Sequence, residues 1–185
     1  MKKLIFAVIF SLSYIFAQAL DLSLGGMTYT LNTETKEATL IICFNNNPQV
    51  VHIPATIEHK GETYTVVAIG DYCFYNKSTI TAVDFDEASQ IRSIGKKSFM
   101  NCNKIESLDL PDEVTAIGSY SFASCSSLTT LELPAKLETM AEGSFSECTS
   151  LTEVSIPAQV STIGKDCFTG CSALQSVNFQ GNPEN

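Results

Sequence analysis

The chain of 185 residues is poor in the groups on which most enzyme chemistry rests. It has only two histidines, His52 and His59, and both fall in one short stretch. Serine and aspartate are abundant, but no nucleophile-elbow motif marks one of them for a triad of nucleophile, base and orienting carboxylate. P-loop, dinucleotide, HExxH and EF-hand patterns are all missing. The histidines therefore read as surface or strand-flanking groups, and neither catalysis nor a cofactor is expected. Positive charge is also scarce: 11 Lys and Arg stand against 20 Asp and Glu, a net charge of −9. That sign argues against nucleic acid, whose binding depends on cations neutralising phosphates, and against anionic membrane surfaces. It suits a well-solvated exported protein, or one with a cationic partner.

Long apolar runs are missing everywhere except at the start. Lys2 and Lys3 precede an apolar stretch from Leu4 to Phe16, and Ala17-Gln18-Ala19 offers small residues for cleavage. The stretch is short of the about 20 residues that a membrane span needs, so residues 1–19 read as a signal peptide. No spanning segment is expected in the mature chain. The protein is expected to be exported, either secreted or at the cell surface. Loss of the leader removes two lysines and no acid, which deepens the balance to −11.

What is abundant is repetition. Phenylalanine recurs at 74, 99, 122, 145 and 168, at intervals of 25 and then 23 residues. Three positions after each Phe stand Lys77, Cys102, Cys125, Cys148 and Cys171; six after, Ile80, Ile105, Leu128, Leu151 and Leu174. The ninth and eleventh positions are apolar with a polar residue between them, as in Leu108-Asp109-Leu110, the alternation of a strand with one buried face. Pro111, Pro134 and Pro157 then close three of these strands, a place that suits a residue without an amide donor. Gly95, Gly118 and Gly164 follow a further apolar position and read as residues of a tight or left-handed bend. Units this small cannot bury an apolar face alone and must stack into a solenoid, with about 4.8 Å between the strands of adjacent coils.

The runs F-x-x-C-x-x-L-x-x-L-x-L-P, from Phe99 to Pro111 and from Phe122 to Pro134, resemble the BspA-like (Treponema pallidum-type) leucine-rich repeats, over roughly Val51 to Phe179. Three departures are visible: Lys77 replaces the cysteine, two extra residues precede Ile94, and Met140-Ala141 stands where Ile-Gly is usual. The expected fold class is α/β: a leucine-rich repeat solenoid with a parallel β ladder on the concave side and short helices or 3₁₀ turns outside. Residues 20–50 would form an N-terminal β-hairpin cap, with the hairpin in 27–43, and residues 51–185 the solenoid of about five units. A second small hairpin is expected around Gly61. The resemblance implies adhesion to matrix proteins or to other cells.

Three sets of residues invite a functional reading. The seven cysteines, an odd number, are compatible with buried free thiols or with one or more disulfides; a metal would want CxxC or histidine companions. Tyr72, Tyr75 and Tyr120 lie beside the repeat phenylalanines on the outer side, where tyrosine either anchors a partner or covers a neighbouring coil. The tenth column after Phe holds Asp84, Asp109, Glu132, Ser155 and Asn178. Its side chains should line the concave surface, either as a solvated acidic face or as a site for Lys and Arg of a protein partner or a loosely held Ca²⁺. The expected function is thus a non-catalytic protein-binding and adhesion module. The alternative is a structural component of an envelope or secreted assembly, joined end to end.

Overall fold

In the computed structural model, residues 19–43 and 48–181 are described. The expected leader, residues 1–19, lies outside them except for Ala19. The N-terminal part contains strands β1 (Ala19–Leu24), β2 (Met27–Asn32), β3 (Glu37–Cys43), β4 (Val50–Ile53), β5 (Thr56–His59) and β6 (Glu62–Ile69). The repeats supply two strands per coil: β7 (Ala82–Phe85) and β8 (Ser93–Ile94), β9 (Ser107–Asp109) and β10 (Ala116–Ile117), β11 (Thr130–Glu132) and β12 (Thr139–Met140). They end with β13 (Glu153–Ile156), β14 (Thr162–Ile163) and β15 (Ser176–Phe179).

The core is a set of vertical columns. Phe74, Phe99, Phe122 and Phe145 are fully buried. Their rings and that of Phe168 stack in succession, with centroids 4.8, 5.1, 5.3 and 5.8 Å apart and planes within 12° of parallel. The spacing is close to the distance between paired strands, so one ring per coil fills its level without a gap. Loss of such a ring costs about 3–5 kcal/mol. Beside it run the columns Ile80, Ile105, Leu128, Leu151 and Cys102, Cys125, Cys148, all buried. The residue preceding each Phe forms a further buried column: Cys73, Ser98, Ser121, Ser144, Cys167.

The α/β expectation is corrected by this structure: the described residues form an all-β solenoid, and no short helix or 3₁₀ turn lies outside the sheet. The reason is in the backbone. Each outer segment carries two left-handed residues four apart: Tyr72 and Asn76, Lys97 and Asn101, Tyr120 and Ser124, Gly143 and Glu147, Asp166 and Gly170. A helix needs right-handed dihedrals throughout. The amides are also spent elsewhere. Those of Tyr72, Phe74 and Asn76 donate to the carbonyls of Lys96, Ser98 and Met100 in the next coil, at 2.9, 2.7 and 2.9 Å. Only the intervening amides, such as Tyr75 and Lys77, turn back three residues. The outer wall is thus a hydrogen-bonded stack of turns.

A second wall runs through the apolar position that precedes the repeat glycines. The Ile94, Ile117, Met140, Ile163 column forms two-residue strands, and β6, β8, β10, β12 and β14 pair in parallel without a break. This sheet continues through β3, parallel to β6, into the antiparallel β2 and β1, and β5 joins β6 as a hairpin around Lys60-Gly61. The glycines that follow the column are required by close approach rather than by a left-handed bend. A Cβ on Gly118 would lie 2.8 Å from the backbone of Gly95, and one on Gly164 2.3 Å from the Glu142 amide nitrogen.

The wall that carries the tenth-column residues is interrupted. β4 pairs with β7, β9 with β11 and β13 with β15, each in parallel. No ladder joins β7 to β9 or β11 to β13. The first break falls in the unit lengthened by two residues; the second falls in one of ordinary length, so insertion alone does not open the rungs.

Non-glycine residues in the left-handed region are strained by roughly 1 kcal/mol each. Ser124→Gly should therefore raise stability by about 0.5–1 kcal/mol, whereas Ser126→Gly, two residues away with no positive φ to relieve, should not. Urea denaturation of both variants checks this, and equal midpoints would count against a strained outer wall.

Candidate functional site

The five tenth-column residues sit on β7, β9, β11, β13 and β15, and all but the half-buried Ser155 are exposed. Asp109 pairs in register with Glu132, and Ser155 with Asn178. Asp84 pairs instead with His52 of β4. The evenly spaced row of three carboxylates is therefore divided, with Asp84 on the far side of the first break from Asp109 and Glu132. His52 belongs to the same column, which reading it as a lone surface histidine missed. Its imidazole reaches two carboxylates, Nδ1 at 3.3 Å from Asp84 and Nε2 at 2.9 Å from Asp86. The signal was present in Val51-His52-Ile53-Pro54, which repeats the strand pattern one coil earlier.

A cleft lies beside each break. The first, of about 390 Å³ between β7 and β9, is lined by six carboxylates: Asp84, Asp86, Glu87, Asp109, Asp112 and Glu113. No Lys or Arg lines it. Three of the acids are engaged nearby: Asp84 with His52, Asp86 with His52 and with the Ala55 amide, from which it accepts at 2.8 Å, and Glu113 with Lys136. The second cleft, of about 370 Å³ between β11 and β13, has only two carboxylates, Glu132 and Glu153, among hydroxyl and apolar side chains and the Gln180 amide. Among the described residues, no group of His, Cys, Asp and Glu is arranged to hold a metal ion. The carboxylates are spread along a trough rather than converging on a point.

The tyrosines lie on the outer wall. Tyr72 and Tyr75 are 48% and 40% exposed and meet edge to face at 5.8 Å. Tyr120 covers the next coil: any Cβ at Gly143 would lie 2.3 Å from its ring. Its hydroxyl donates to Glu142 at 2.7 Å, a bond that raises its pKa. The Lys97 ammonium sits between Tyr72 and Tyr120, 5.9 and 5.8 Å from their ring centres, within cation–π range.

All seven cysteines are free. Four thiols donate to a phenylalanine carbonyl in the preceding coil: Cys102 to Phe74, Cys125 to Phe99, Cys148 to Phe122 and Cys171 to Phe145, at 3.2 to 3.4 Å. They serve as small buried donors, which explains their recurrence. Burial raises the pKa of Cys73, of Cys102 (to about 12), of Cys125 and of Cys167. Half-buried Cys171 is held below the ordinary thiol range by the neighbouring Cys148 thiol.

A solenoid of coils near 23 residues, with parallel ladders and a buried apolar spine, is a leucine-rich repeat protein. A model of the BspA type leucine rich repeat region, in six copies, matches residues 67–185, and the chain belongs to that family. Among solved structures, the leucine-rich repeat protein of T. pallidum is similar at 26% identity, over 85% of this chain and 71% of that one, with a TM-score of 0.76. A leucine-rich repeat protein from Bacteroides ovatus is 29% identical over 86% of this chain, which spans 41% of that longer protein, with a TM-score of 0.72. The pneumococcal vaccine antigen PcpA shares the fold, at 17% identity over 88% of this chain and 50% of that one, with a TM-score of 0.63. No curated protein matches the chain.

The raised thiols imply a pH limit. In the folded state they keep their protons, while in the unfolded chain they ionise near pH ~8.5. Their contribution is thus complete below that pH and declines as pH rises above it, by about 1.4 kcal/mol per pH unit for each such thiol. Urea midpoints under reducing conditions should fall between pH ~8.5 and ~10, with a shallower slope for Cys125→Ala. A midpoint independent of pH would contradict the burial of these thiols.

Proposed function

We propose that the chain is an exported, non-catalytic protein-binding module that acts in adhesion, secreted or at the cell surface, and recognises its partner through the wall bearing Asp84, Asp109, Glu132, Ser155 and Asn178. The observation that carries this reading is the combination of that exposed, mainly acidic column with two clefts on one stiff wall. Stacked repeats of this kind provide extended recognition surface without a deep pocket. Family membership supports a protein-binding role, and the leader-like residues 1–19 support export. Among the described residues no helix is long and apolar enough to cross a membrane.

End-to-end assembly is favoured by one observation. The last described coil exposes Phe179 (69%), Ile163 (42%) and Val177 (39%), apolar side chains that a further layer would cover. Light scattering after size exclusion separates the two readings, since a monomer at high concentration would leave no role for assembly.

The adhesion reading is tested by solid-phase binding to purified extracellular matrix proteins and to whole cells. Combining Asp84→Asn, Asp109→Asn and Glu132→Gln should weaken capture about tenfold, at up to about 1 kcal/mol per exposed ion pair, and should flatten its dependence on salt. Binding that survives with the same salt dependence would move the interface off this wall.

A further inference from the structure

The last described coil is a full unit with no layer above it. One coil below, Met140, Val154 and Ile156 are buried, whereas their counterparts Ile163, Val177 and Phe179 are exposed. The columns are the same, so the missing layer makes the difference. The backbone is unspent in the same way. On the outer wall each coil donates to the next, as Gly143, Phe145 and Glu147 do to Lys165, Cys167 and Thr169. The amides one coil on, those of Asp166, Phe168 and Gly170, have no backbone acceptor among the described residues. On the β14 wall the direction is reversed. The carbonyls of Glu138 and Met140 accept from Ser161 and Gly164 above them, while those of Ser161 and Ile163 receive no such bond among the described residues. β15 has a ladder partner on one side only, and such an edge is a template for another strand.

Charge sets this end apart from the remainder of the surface. The chain carries a net charge of −9, so two copies repel wherever their acidic surfaces meet. Between Leu137 and Gln159 stand Glu138, Glu142, Glu147 and Glu153, with no cation. Between Val160 and Gly181 the charged side chains are Lys165 and Asp166, which lie 3.5 Å apart and cancel. A neutral, partly apolar face suits the centre of a protein interface, where charge is depleted. It offers nothing to attract a strongly basic or acidic partner. The four residues that follow in the sequence, Asn182 to Asn185, hold no large apolar side chain to lay over it.

We propose that this coil docks on the same coil of a second copy, about a two-fold axis through the middle of β15. The operation sets β15 antiparallel to its mate and buries Val177 and Phe179 of both copies. It also carries each outer wall over the other copy's β14 wall, open amides over open carbonyls. The face is thus complementary to itself, and the contact closes at two copies. Head-to-tail stacking lacks this match. The opposite end of the nine-stranded sheet is an antiparallel hairpin, whose outermost strand β1 has six residues against two in β14. The inference rests on the end-to-end reading and deepens it, naming the partner as this chain and the assembly as a dimer. Adhesion through the acidic wall is independent of it.

The test is light scattering of the purified protein over a concentration series, under reducing conditions so that Cys171 cannot link copies. The mass should rise from one chain to two and stop there. Added salt should leave the dimer intact or tighten it, because it screens the repulsion between two acidic chains. Val177→Glu with Phe179→Glu should weaken dimerisation at least tenfold. Both side chains are exposed in the single chain, so the variant should keep the wild-type urea midpoint. Leu20→Glu with Leu24→Glu places the same charge on exposed positions of the opposite end and should change the dimer constant less than twofold. Equal losses from the two pairs, or dissociation by salt, overturns the proposal. A mass that climbs past two chains overturns it too, while leaving the end-to-end reading in place. A monomer at every concentration removes both, and matrix or cell capture then reports on the adhesion reading separately.

Discussion

Backbone hydrogen bonding from coil to coil is the interaction on which everything else depends. The Phe74 amide reaches Ser98, Phe99 reaches Ser121, Phe122 reaches Ser144 and Phe145 reaches Cys167, all at 2.7 to 2.9 Å. Those bonds fix the separation of the coils, and that separation lets one phenylalanine ring and one thiol fill each level. The same demand accounts for the strained left-handed residues on the outer wall, because alternate amides must point along the stack. Glycine at 118 and 164 follows from the same closeness. Local conformational preference has been overruled by neighbouring coils that leave the backbone no other partner.

The recognition wall is where this regularity lapses. Two of its rungs lack a ladder, and a cleft lies beside each, lined in part by side chains of the tenth column. Surface carboxylates on intact rungs would be separated by solvent and salt and would count for little. Gathered along one cleft, six of them form an acidic trough. At one end of it the His52 imidazole lies between Asp84 and Asp86.

Much of this was legible in the chain. The repeat period, the buried identity of Phe99, Phe122 and Phe145, the solenoid and the family follow from columns that recur with few departures. The hairpins within 27–43 and around Gly61 were also readable, since each joins alternating segments across a polar turn. Short outer helices were expected because the segments from glycine to cysteine have helix-compatible length. Nothing in residues such as Tyr120 or Glu147 announces a left-handed backbone. The continuous ladder through Ile94, Ile117, Met140 and Ile163 was hidden because two-residue strands have too few positions to show alternation. The candidate column was identified residue by residue, but not its division.

By itself, then, the sequence determined which side chains face inward and that equivalent residues lie above one another, since hydrophobic period and repeat length are properties of one dimension. Only the tertiary structure decided which amides bond across coils, which turns take left-handed dihedrals and which rungs of the acidic wall stay open. Those outcomes depend on the distance between backbones that are remote in the chain, and no local pattern encodes that distance.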